Sequence, residues 1–127
     1  MFSHVMLGAN DIDASKAFYD AALGALGVRP GRVDPKGRVI YAHNGGIFML
    51  TRPIDGEPAC HANGGTLGFA AESPDAADAW HAAGLAAGGT AIEDAPGIRE
   101  GSGLKLYLAY LRDPAGNKVC AMHRVPA

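Results

Sequence analysis

The chain is short of everything that would mark it for a polyanionic or lipid partner. Eleven Lys and Arg face 13 Asp and Glu, a net charge of −2, and no basic stripe runs along any segment. That argues against nucleic acid as the partner, because its recognition rests on clustered cations. No apolar run approaches the roughly 20 residues that cross a bilayer. The opening Met1-Phe2-Ser3-His4 has neither the basic start nor the long apolar stretch of a secretory signal. Cys60 and Cys120 are the only cysteines, too few for a disulfide framework. Aromatic residues make up only 7%, and much of the 48% apolar fraction is alanine, which buries little area. At 127 residues, one domain with a modest core is expected, in a soluble cytoplasmic protein.

What the chain does have is an internal echo. Residues 1–27 combine a short alternating strand, a polar helix start at Asn10-Asp11-Ile12-Asp13, an amphipathic run and a glycine stop. Shifted by 62 positions the pattern returns, with Ala9 on Ala71, Asp11 on Ser73, Phe18 on Trp80, Leu23 on Leu85 and Gly27 on Gly89. A repeat of this length is one supersecondary unit used twice, each copy leaving an apolar face for the other to cover. His4 falls on Thr66 in this register.

In residues 2–9, Val5 and Leu7 alternate with His4 and Met6, so one face packs on the following helix and the other looks elsewhere. Asp11 or Asp13 caps the first helix and Gly27 ends it. A strand near Val33 is left open. Arg38 to Ala42 and Ile47 to Thr51 form a hairpin across an Asn-Gly signal. Residues 54–65, dense in Pro and Gly, form a linker between a first module (about 1–53) and a second (about 66–127). In the second, a strand at Thr66 to Ala71 leads to a helix capped by Ser73 with Pro74 at its first position. A short strand at Thr90 to Glu93 follows. Residues 94–103 read as a mobile loop that could act as a lid, and Leu104 to Leu111 and Lys118 to His123 form a last hairpin.

Two βα-plus-strands modules, the opening His4-Val5-Met6-Leu7, the Phe18-Tyr19 pair before Leu23-Gly24, and the closing Asp113-Pro114-Ala115-Gly116-Asn117-Lys118 together resemble the vicinal oxygen chelate superfamily of glyoxalases, extradiol dioxygenases and bleomycin-resistance proteins. The resemblance covers nearly the whole chain. It implies an α+β fold of two βαβββ modules whose mostly antiparallel sheet curls into a U around a cavity, commonly completed in a homodimer. In metal-using members, four strands each give one ligand to a divalent ion that acts as a Lewis acid. The matching positions here are His4, Met49, Thr66 and Cys120, the last where glutamate is usual. One imidazole with a thioether, a hydroxyl and a thiol is a poor set for a hard ion, so neither metal nor other cofactor is expected. A soft ion such as Cu(I) would suit His4, Met49 and Cys120 better.

His4 has three readings: a half-buried structural histidine, a ligand-contacting or acid/base residue, or a metal ligand. Met6, Met49, Thr66, Tyr110, Cys120 and Met122 are expected on the cavity-facing phase, where they either fill the interior or form an adaptable pocket for a small organic ligand. Tyr107 and Tyr110, three apart on a strand, face opposite ways. The expected function is a metal-independent, small-molecule-binding protein of the glyoxalase/bleomycin-resistance type. The alternative is a lyase- or dioxygenase-type enzyme using His4.

Overall fold

The repeat is built as the sequence spaces it. In the computed structural model, which describes residues 1–126, strand β1 (Val5–Gly8) leads into helix α1 (Ile12–Gly24), and strand β5 (Leu67–Ala70) into helix α2 (Pro74–Ala86). Start and end of both elements lie 62 positions apart. Each helix begins where a side chain satisfies an otherwise unpaired amide. Asp11 Oδ1 accepts from Ala14 N–H at 3.0 Å, and Ser73 Oγ from Ala76 N–H at 3.1 Å. Gly27, at φ +89°, ends α1 as Val28 N–H reaches back to the Leu23 carbonyl and Gly27 N–H to Gly24. After α2 the left-handed residue is Gly88 rather than Gly89, and Gly89 N–H bonds the Gly84 carbonyl at 2.8 Å.

Two mixed sheets follow. In the first, β2 (Arg32–Val33), β3 (Val39–His43) and β4 (Gly46–Thr51) give the order β1-β4-β3-β2, with β1 parallel to β4 and the other pairs antiparallel. The strand near Val33 is real, and Asn44 and Gly45, both at positive φ, make the hairpin turn. In the second, β6 (Thr90–Ala91), β7 (Gly97–Gly101), β8 (Leu104–Arg112) and β9 (Lys118–Arg124) give the order β5-β9-β8-β6, with β5 parallel to β9. The expected mobile loop at 94–103 is corrected here: residues 97–101 pair with β8 from Leu104 to Leu108. Ser102 and Gly103 at positive φ close that hairpin. Arg99 fixes its approach by donating to the carbonyls of Asp94, Ala95, Gly97 and Leu108.

Both sheets turn the same side toward one shared core. Val39, Tyr41, Phe48 and Leu50 of the first, and Ala109, Leu111, Val119 and Ala121 of the second, are buried with Phe18, Tyr19, Leu23 and Trp80 of the helices. Fully burying each large side chain contributes roughly 1.5–3 kcal/mol, so these few aromatics carry much of what the alanines cannot. The modules are also tied by polar contacts. Tyr19 Oη donates to Asp113 Oδ2 at 2.6 Å, and Asn117 Nδ2 donates to the Gly8 carbonyl at 2.9 Å. The Asp-Pro-Ala-Gly-Asn turn is thus a structural joint. Among the described residues, no helix is long and apolar enough to cross a membrane.

Candidate functional site

The strand alternation that buries Phe48 and Val119 turns the expected site residues the other way, onto the outward faces of the two sheets. On the first sheet Met6 lies opposite Met49. His4, one residue before β1, continues that phase; it is exposed, its Nδ1 2.8 Å from Ser3 Oγ. On the second sheet Cys120 lies between Gly68 and Tyr110, and Met122 between Ala70 and Leu108. Thr66 is exposed one residue before β5. Met6 and Met122 are 37% and 38% exposed. Tyr110 and Tyr107 diverge as their spacing requires, since Tyr107 Oη donates to Asp78 of α2 at 2.7 Å.

Cys120 is the buried member of the group because Gly68 makes room for it. A Cβ on Gly68 would stand 3.2 Å from the thiol sulfur. Burial pushes that thiol up to about 11, with Lys118 opposing the shift, so it is neutral and a weak nucleophile near pH 7. The neighbouring Tyr110 ring carries Lys118 Nζ at 4.9 Å and the Arg99 guanidinium at 5.9 Å from its centroid. Lys118 is itself paired with Glu93. His123 does not join Cys120; its Nδ1 lies 3.0 Å from the Ala71 carbonyl.

These residues do not fit a hard divalent ion. Among the described residues, no three His, Cys, Asp or Glu side chains come together as a metal would require. The four positions that the family uses offer one imidazole, a thioether, a hydroxyl and a neutral thiol, a poor donor set for such an ion.

A cavity does exist, but on the other side of the strands. About 400 Å3 opens between the end of α1, the β3–β4 hairpin and β5. Leu23, Leu26 and Val28 form one wall, and Val5 and Leu67 another. Tyr41, Phe48 and Phe69 give it aromatic surface, and His43, Asn44 and Glu72 also line it. The Phe48 and Phe69 rings meet edge to face, centroids 5.3 Å apart. None of the seven residues His4, Met6, Met49, Thr66, Tyr110, Cys120 and Met122 lines it. Strand periodicity could not reveal this cleft. Val5, Tyr41, Phe48, Leu67 and Phe69 in its lining have the same phase as the core, while Ile47, Gly68 and Ala70 have the other, and the gap arises where the two modules fail to close on each other.

Known proteins share this arrangement. A crystal structure of a glyoxalase/bleomycin resistance protein from Albidiferax ferrireducens T118 is 60% identical, with a TM-score of 0.94 over 98% of this chain and 99% of that one. A glyoxalase/bleomycin resistance protein/dioxygenase family enzyme from Burkholderia phytofirmans PsJN (21% identity, TM-score 0.73, 97% and 98% covered) shares the fold. So does a lactoylglutathione lyase from Agrobacterium tumefaciens (21%, TM-score 0.66, 96% and 92% covered). No curated protein matches the chain. The family model for the Glyoxalase/Bleomycin resistance protein/Dioxygenase superfamily matches residues 1–121. With that match and a relative at 60% identity, this chain belongs to the glyoxalase/bleomycin resistance protein/dioxygenase superfamily.

Proposed function

We propose that this is a cytoplasmic, metal-independent binding protein that holds a small organic molecule against the outward faces of its sheets, in a homodimer. The observation that carries this reading is the make-up of those faces. Met6 and Met49 on one sheet and Met122 on the other supply adaptable apolar surface, and Tyr110 and Cys120 accompany Met122 on its sheet, with no hard-ion cluster among the described residues. Met6 and Met122 are more exposed than a closed site would leave them, as is Leu104 at 39%. A second copy laid over these strands would enclose a ligand and remove that area from water at roughly 25 cal/mol per Å2.

A second reading, a lyase- or dioxygenase-type enzyme, is favoured by His4 alone. Its imidazole is exposed on the outward phase with Nδ1 engaged by Ser3, which leaves Nε2 available to an acid/base or ligating role. The deciding experiment is elemental analysis of the untagged protein with thermal shift against divalent ions and Cu(I), on the natural chain and on His4→Ala. The binding-protein reading expects no stoichiometric ion and no ion-induced shift. A bound ion whose stabilisation disappears in His4→Ala would replace it with the enzyme reading. Light scattering of the same sample should give twice the 13.0 kDa chain mass; a monomer at micromolar concentration would remove the enclosed site.

A further inference from the structure

The cleft between α1 and β5 calls for an occupant of its own. Its volume of about 400 Å3 lies within the roughly 300–1,000 Å3 of small-molecule sites, and its walls are aliphatic and aromatic side chains from both modules. The polar groups nearest its aromatic surface are already used. Tyr41 Oη donates to Asp20 Oδ1 at 2.8 Å, and Asp20 also accepts from Lys16 and from Gly31 N–H. At the rim, the His43 ring nitrogen Nε2 and the Asn44 amide lie 3.2 Å apart and satisfy each other. Glu72 differs. It is exposed two residues past the end of β5, and among the described residues no cation lies within salt-bridge distance of it. No Lys or Arg lines the cleft.

We propose that this cleft is a second ligand site, separate from the outward faces, and that it takes an aromatic amine. The ring lies against Phe48 and Phe69, and the ammonium reaches Glu72. An aromatic body gains edge-to-face contact with the two rings and removes the exposed parts of Val5, Leu26 and Val28 from water. The charge at the rim then sets sign rather than strength, because an exposed ion pair in water contributes little.

The test is a methyl NMR titration with naphthylmethylammonium, naphthylmethanol and naphthylacetate, which share a ring system and differ in charge. The ammonium should bind best, about threefold or more tighter than the acetate. Its shifts should fall on the methyls of Val5, Leu26 and Val28, not on those of Met6, Met49 and Met122. Leu26→Trp, checked for folding by circular dichroism, should fill the cleft and abolish binding. Glu72→Gln, at an exposed position, should erase the preference for the ammonium and leave the alcohol unchanged. The site is overturned if no probe binds, if only the methionine methyls respond, or if folded Leu26→Trp binds as before. Preference for the acetate would overturn the assignment of an amine. The methionine methyls report the outward faces separately, so failure there and failure here are distinguishable.

Discussion

Tyr19 Oη donates to Asp113 Oδ2 at 2.6 Å across 94 residues of sequence, joining the helix of the first module to the last hairpin turn of the second. The tyrosine is fully buried, and burial followed by the Asp113 charge holds its hydroxyl well above the ordinary range, so it remains a donor. Asp113 also accepts from the Asn117 side chain and from the N–H groups of Ala115 and Asn117. Tyr19→Phe should therefore cost about 1–2 kcal/mol in urea unfolding, the usual loss when one buried donor is removed. Asp113→Ala strips four donors of their acceptor and should cost about 3 kcal/mol or more. If Tyr19→Phe costs nothing, packing alone holds the modules together.

Alkali should unfold the chain through its buried thiol and phenols. Cys120 rises from 9.0 to about 11 on folding, and burial also raises Tyr19 and Tyr41. A raised folded value means stability is fully present below the unfolded value and is lost as pH climbs through the folded one. The melting temperature should hold to about pH 9 and then fall toward pH 11. Cys120→Ala should make that fall shallower; an unchanged slope would remove the thiol as a contributor.

The two cysteines should react at very different rates. Cys60 is exposed in the linker, while Cys120 is buried under Gly68 and held as the neutral thiol. At pH 7.5, maleimide should label one thiol rapidly and the second only on unfolding. Rapid double labelling, followed by mass spectrometry, would show the outward face opening in solution.

In acid, Asp20 is the group to watch. Burial alone would raise it, but hydrogen bonds from Gly31 N–H, Lys16 and Tyr41 outweigh that and hold it below 3.8. A depressed folded value contributes stability above the unfolded value and loses it as pH falls through the folded one. Stability should thus decline below about pH 4, and Asp20→Asn should flatten the decline. Parallel acid titrations of the two proteins would show it.

Gly84 marks where α2 presses closely on β8 and on α1. A Cβ there would lie 2.4 Å from Leu111 Cδ1 and 3.1 Å from Phe18, both side chains belonging to the shared core. Alanine is the better helix former by about 1 kcal/mol, yet overpacking of this kind costs about 1–3 kcal/mol. Gly84→Ala should lower the urea midpoint. A rise would mean that Leu111 moves aside freely.

Local chemistry was legible in the sequence wherever one residue decides the outcome. Asp11 and Ser73 cap their helices, Asn44-Gly45 turns its hairpin, and the echo from Phe18 to Trp80 is a repeated unit with matching ends. The alternation of β1 correctly opposed Met6 to Val5 and Leu7, and that of β8 separated Tyr107 from Tyr110. Strand β7 is not legible in the sequence because its glycines and charges look like loop, and only pairing with β8 and the grip of Arg99 make it a strand.

Which side of the strands carries a cavity was decided by tertiary structure alone. Alternation says that two faces differ. It does not say whether the apolar one closes completely, because that depends on how two modules meet. They close tightly around Trp80, Tyr19 and Asp113, and leave a gap beside Phe48 and Phe69.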